Sequence, residues 1–107
     1  MKAWAASLLL VFASTVPAAA EAVDVKYVGR VDLAEFQCEP ISRSSFINRV
    51  CYDQETERLV IQLRATYYQY CSVPPDLVAD LSAAHSMGRY YNQNIKSSAV
   101  DGRYDCE

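Results

Sequence analysis

Four cysteines, Cys38, Cys51, Cys71 and Cys106, are the residues of this chain with the most chemistry open to them. Zinc would need a close thiolate pair such as C-x-x-C. Here the nearest two cysteines are thirteen residues apart and the 107-residue chain holds one histidine, so no metal site is expected. An even number of cysteines in a short exported chain reads instead as a framework of two disulfides. A small domain has a thin core, and each cross-link stabilises it by restricting the unfolded chain, typically by about 2–4 kcal/mol.

The remaining candidates for catalysis fail on their partners. His85 would need a nucleophile held within hydrogen-bond reach to act as a general base. Ser86 is merely its neighbour in sequence, so His85 reads as a helix-end residue. Ser44 and Ser45 stand before a strand, where a hydroxyl bonds backbone. Asp53, Glu55 and Glu57 crowd one loop, and paired carboxylates can hydrolyse glycosides. With Arg58 beside them they read as solvated turn residues, and their spacing is no EF-hand. The chain has no G-x-S-x-G, H-E-x-x-H or phosphate-binding glycine loop. No catalytic activity and no cofactor are expected.

Binding chemistry is better represented. Tyr67, Tyr68 and Tyr70 lie on one strand, where Tyr68 and Tyr70 share a face and Tyr67 takes the other. On an open sheet they would stack bases; facing helices they fill a core with their hydroxyls at its rim, and the second reading is adopted. Gly88-Arg89-Tyr90-Tyr91-Asn92 is the densest polar and aromatic cluster. Glycine costs a helix about 1 kcal/mol relative to alanine, which points to a close approach at Gly88, to the first helix or to a ligand. Arg89, Asn92 and Lys96 are expected on one exposed helix face, with Tyr91 in the same cluster and Arg43 and Arg49 brought up by the fold. These six residues are the expected binding surface.

The elements that position them are readable in part. Val23, Val25 and Tyr27 alternate with polar residues in a short strand. Phe46–Tyr52, Leu59–Arg64 and Tyr67–Val73 read as three strands, joined by the charged turn at 53–58 and a tight reversal at Ala65-Thr66. Pro74-Pro75-Asp76 then opens a helix, with proline in the first turn and a carboxylate at the positive end of the dipole. Leu77, Val78, Leu81 and Ala84 follow at helical spacing. Ser86 caps a second helix, whose apolar face is Met87, Tyr90, Tyr91 and Ile95. The outcome is an α+β domain, a three-stranded antiparallel meander followed by two helices packed on one face. In this register Cys51 and Cys71 flank Val60 from the two outer strands. That separation is about 9–10 Å, beyond the roughly 7 Å reach of a disulfide. Each therefore pairs with Cys38 or Cys106 from a terminal extension; which with which stays open.

Residues 1–20 have the plan of a secretory signal peptide: Lys2, the apolar stretch Ala3–Val16, Pro17, and Ala18-Ala19-Ala20 before cleavage after Ala20. The stretch is shorter than the roughly 20 residues that span a bilayer. Without Lys2, nine basic residues face thirteen acidic ones. A net-acidic domain has no electrostatic footprint for nucleic acid.

The order of motifs from about Ser44 to Lys96 resembles the KTSC domain, a module named after the C-terminal extension of some lysyl-tRNA synthetases. The matching residues are Ser44-Ser45, Val50-Cys51-Tyr52-Asp53, Tyr68-Gln69-Tyr70, Val73-Pro74, and Ser86-Met87-Gly88-Arg89-Tyr90-Tyr91-Asn92 with Ile95. The resemblance carries over no established biochemical activity; the association with a synthetase implies RNA binding as one option. The chain departs from the family in its signal peptide, its cysteine before Tyr52 where glycine is frequent, and its cysteine-bearing extensions. The expected layout is a signal peptide (1–20), an N-terminal extension (21–43), the KTSC-like domain (44–97) and a C-terminal tail (98–107). The expected function is a non-catalytic binding or interaction module of the bacterial periplasm, partnered by a protein or cell-envelope component. No membrane insertion is expected once the signal is removed, and RNA binding is the alternative.

Overall fold

The computed structural model describes residues 21–107; the expected signal peptide lies outside the described residues. Six strands come first: β1 (Ala22–Val25), β2 (Gly29–Asp32), β3 (Gln37–Pro40), β4 (Ile47–Asp53), β5 (Arg58–Leu63) and β6 (Thr66–Tyr70). Helices α1 (Pro75–Ala83) and α2 (Met87–Asn94) and a 3-10 turn (Ser97–Ala99) follow. The strands form one sheet in the order β2-β1-β6-β5-β4-β3. All neighbours are antiparallel except β1 and β6, which meet in parallel through Val25 and Tyr67. The expected three-stranded meander is therefore the centre of a six-stranded mixed sheet. The N-terminal extension supplies the other three strands, one beyond β4 and two beyond β6.

The meander forms where alternation marks it. Cys51 pairs with Val60 as expected, but Val60 meets Gln69 on its other side, not Cys71. The β5–β6 reversal is a two-residue turn at Arg64-Ala65, because Leu63 pairs with Thr66. The register is thus displaced by two residues, which keeps every side chain on its expected face. Cys71 falls beyond the end of the ladder.

Only four residues, Leu33–Phe36, join β2 at one edge to β3 at the other. Five peptide steps reach at most about 18 Å, whereas the edge strands of a flat six-stranded sheet stand about 24 Å apart. The sheet therefore curls until its edges approach. Its concave side is filled by Val25, Val31, Leu33, Phe36, Cys51 and Val60. The convex side carries both helices over Ile47, Val50, Leu59, Ile61 and Tyr70, with Leu81, Met87, Tyr91 and Ile95 pressed down from above. Tyr68 and Tyr70 belong to this helix-side core and Tyr67 to the concave one, the partition expected from strand alternation.

The disulfides are Cys38–Cys51 and Cys71–Cys106. Cys51 and Cys71 each take their partner from an extension, and the open choice of partner is resolved. Cys38–Cys51 ties β3 to β4 directly across the ladder. Cys71–Cys106 draws the tail onto the outer edge of β6, where Tyr70 bridges Asp105 and the Cys71 N–H donates to the Tyr104 carbonyl at 2.7 Å.

Candidate functional site

Helix α2 is held at both ends by its own sequence. Ser86 Oγ accepts the Arg89 N–H at 3.2 Å, the N-cap expected of serine. At the other end the N–H groups of Ile95 and Lys96 both reach the Tyr91 carbonyl. Met87, Gly88, Tyr91 and Ile95 are buried, while Arg89, Asn92, Gln93 and Lys96 are exposed. The close approach that Gly88 permits is neither to α1 nor to a ligand. A Cβ there would lie 2.5 Å from Cε1 of Phe46, so the helix rests on that ring, and the ring in turn meets Tyr91 edge-on at 6.3 Å.

Arg43 approaches α2 from the segment before β4. Its guanidinium donates to the Ala84 carbonyl at 2.9 Å and to the Ser82 carbonyl, satisfying acceptors that the end of α1 leaves without helical partners. Ser44 Oγ accepts the N–H groups of Phe46 and Ile47, the backbone-bonding role expected for it. Arg43, Ser45, His85, Arg89, Asn92 and Gln93 consequently line one open groove of about 760 Å³. Three of the six expected binding residues, Tyr91, Arg49 and Lys96, lie elsewhere. Tyr91 is buried and its hydroxyl is 2.5 Å from that of Tyr70. Arg49 lies on the concave side and never reaches α2. It grips both carboxylate oxygens of Glu21, at 2.7 and 2.8 Å, and donates to the Tyr67 hydroxyl at 3.1 Å. Those bonds hold the Glu21 carboxyl below the usual carboxylate range. Arg49 is a clip across the curl of the sheet.

Lys96 lines a second, smaller cleft of about 430 Å³ with Arg64, Thr66, Tyr68 and Asn92 over Phe46 and Leu63. The sequence places Arg64 at the end of the Leu59–Arg64 strand; what brings it to α2 is the two-residue turn. Asp53 also differs from expectation. It is buried within its own turn, accepting the Glu55 N–H at 3.1 Å and the Thr56 hydroxyl at 2.8 Å, so it organises the loop and is not solvated. Glu55 is exposed.

The Tyr70–Tyr91 pair gives the domain a pH dependence. Desolvation raises both phenol pKa values, and for Tyr70 the bond to Tyr91 adds to the rise. A raised folded-state pKa means that the stabilisation is fully present below the unfolded value near 10. It is lost as pH climbs from there through the folded-state pKa, by at most about 1.4 kcal/mol per pH unit for each phenol. Urea midpoints should therefore be insensitive to these groups between neutrality and pH of about 10 and fall above it. Tyr70→Phe should shallow that fall; an unchanged slope would show that other groups govern alkaline unfolding.

With this geometry defined, the chain is a disulfide-linked α+β domain in which two helices cover the convex face of a curled sheet. The KTSC domain model matches residues 43–98, more than half of the chain, and the chain belongs to the KTSC domain family. A KTSC domain protein of Yersinia pestis has a crystal structure that superposes with a TM-score of 0.58 at 34% identity, covering 67% of this chain and 94% of that one. A lysine–tRNA ligase of Nostoc punctiforme is 38% identical over 53 residues, which is 49% of this chain but only 9% of the ligase. A Stutzerimonas stutzeri protein of unknown function is 36% identical over 55 residues, half of this chain and 78% of the relative.

Proposed function

We propose that this KTSC domain is a non-catalytic binding module that works outside the cytoplasm and contacts a protein or cell-envelope component through the exposed face of α2. One observation carries this reading: the fold gathers Arg89, Asn92, Gln93 and His85 with the Arg43–Ser45 segment around a single open groove. Ser86 is occupied as a helix cap and Arg43 by carbonyls of α1, so recognition falls to Arg89, Asn92 and Gln93. Two disulfides suit an oxidising compartment, and no helix among the described residues is long and apolar enough to cross a membrane. The test is crosslinking of the oxidised protein to envelope fractions of its host. Arg89→Glu should abolish a specific adduct while leaving the melting temperature unchanged. An adduct that survives the reversal of charge, or the absence of any, defeats the proposal.

A second reading, contact with RNA, is supported by the similarity to part of a lysine–tRNA ligase. It calls for affinity that falls steeply with salt. No binding to single-stranded RNA at low salt would end it. Against it stand Tyr68 and Tyr70, turned onto the helices and not open for stacking.

A further inference from the structure

We infer that the cleft between the β5–β6 turn and the end of α2 is a binding site for a small hydroxylated anion, a sugar carrying a carboxylate or a phosphate. This goes beyond the α2 groove reading and stands without it. At about 430 Å³ the cleft has the size of a small-molecule site. Its floor is apolar, from Phe46 and Leu63. Its rim carries two cations, Arg64 and Lys96, the Asn92 amide, and the hydroxyls of Thr66 and Tyr68. No Asp or Glu lines it.

The distribution of charge across the domain singles this cleft out. Arg30, Arg49 and Arg58 are paired with carboxylates, Arg43 is bonded to carbonyls of α1, and Arg103 and Lys26 lie near tyrosine rings. Arg64, Arg89 and Lys96 have no carboxylate within 4.0 Å among the described residues. In a domain richer in acid than in base, two of these three meet over one apolar floor. Neighbouring cations without a counter-ion repel, and a bound oxyanion relieves that repulsion through charge-assisted hydrogen bonds.

Arg64 supplies an independent indication. Its φ of 56° is left-handed, as is that of Tyr27, Glu57, Ser72 and Asp101, and of these five Arg64 alone lines the cleft. The turn is anchored on both sides: the Arg64 N–H donates to the Phe46 carbonyl and the Asn48 amide donates to the Arg64 carbonyl, each at 2.8 Å. Its side chain is exposed and has no ion-pair partner among the described residues, so the fold gains nothing evident from arginine there. Strained positions held by their surroundings cluster where a ligand is met. The rings argue for a sugar and against bases. Tyr91 is buried and Tyr68 and Phe46 are half-buried against the helices, which leaves rims and no open platform of the kind that stacking of bases requires. The amide and the two hydroxyls suit sugar hydroxyls.

The experiment is a 15N NMR titration of oxidised protein with galacturonate, glucose 6-phosphate, glucose and oligouridylate. Saturable shifts at the amides of Arg64, Asn92 and Lys96 with galacturonate or glucose 6-phosphate, and none with glucose, are expected; which anion saturates first separates carboxylate from phosphate. Arg64→Gly should weaken that binding about tenfold while leaving the melting temperature unchanged or higher, since glycine accepts the same φ. Lys96→Gln should weaken it without altering the turn. Silence from both sugar anions at millimolar concentration, equal response to glucose, or undiminished affinity in Arg64→Gly would overturn the assignment. Oligouridylate binding with a steep salt dependence while the sugars stay silent would give the surface to nucleic acid instead. Arg89→Glu should leave this titration intact, so the two proposals fail separately.

Discussion

Replacing Cys71 and Cys106 together by alanine should lower the unfolding free energy by about 4 kcal/mol, against about 3 kcal/mol for the Cys38 and Cys51 pair. The difference follows from the chain each bond closes, 35 residues against 13, because a longer loop loses more freedom in the unfolded state. The first pair also guards more structure. Tyr104 is 8% exposed in the helix-side core, and the tail holds its place there through Cys106, the Tyr70–Asp105 bridge and the Cys71–Tyr104 hydrogen bond. Small domains rest on about 5–15 kcal/mol in total, so this loss is a large share. Urea titration of the two double variants gives the ranking directly. A smaller loss for Cys71 and Cys106 than for Cys38 and Cys51 would mean that the tail is held by its buried tyrosine and not by the cross-link.

Leu81→Ala should cost about 3 kcal/mol. Helix α1 has one fully buried residue, and it is Leu81; Leu77 and Val78 are half-buried and Asp76, Ala79 and Asp80 are exposed. The helix opens on a proline without a side-chain cap, and the Arg43 guanidinium completes its far end. Truncating the single anchor leaves a cavity in the helix-side core and little else to keep the helix down. Hydrogen exchange should show α1 amides losing protection well before those of β4 and β5. Uniform loss across the domain would show that α1 and the sheet unfold as one unit.

The central strands were legible because Leu59, Ile61 and Leu63 alternate on a sheet covered on its helix side, and α2 because Ser86 and the Met87–Tyr91–Ile95 spacing announce it. β2 and β3 were not. Each has four residues with at most one buried, Val31 in β2 and none in β3, since both are edge strands with one flank in solvent. No alternation can appear in so short and so exposed a run. The parallel contact of β1 with β6 rests on one residue pair more than forty positions apart, which no local pattern encodes. Of the expected binding surface, Arg89, Asn92 and Lys96 were legible as the polar face of an amphipathic helix. Arg49 was misplaced because its destination depends on the curl of the sheet, and the curl depends on the brevity of Leu33–Phe36. Arg64 sits in the turn, not in the strand, because the reversal falls one residue earlier than the alternation predicts.

The order of the cysteines has a consequence for biogenesis. The first joins the second and the third joins the fourth, so both bonds link consecutive cysteines and neither encloses the other. For a chain delivered N-terminus first, a disulfide-bearing oxidant that links thiols in order of appearance, and is itself reduced to a dithiol for each bond it donates, makes both native bonds at the first attempt. Cys38–Cys51 can close while β5 and everything after it is still to arrive, and Cys71 then waits for the last cysteine of the chain. Maturation of a chain so delivered should proceed normally in cells that lack a disulfide isomerase.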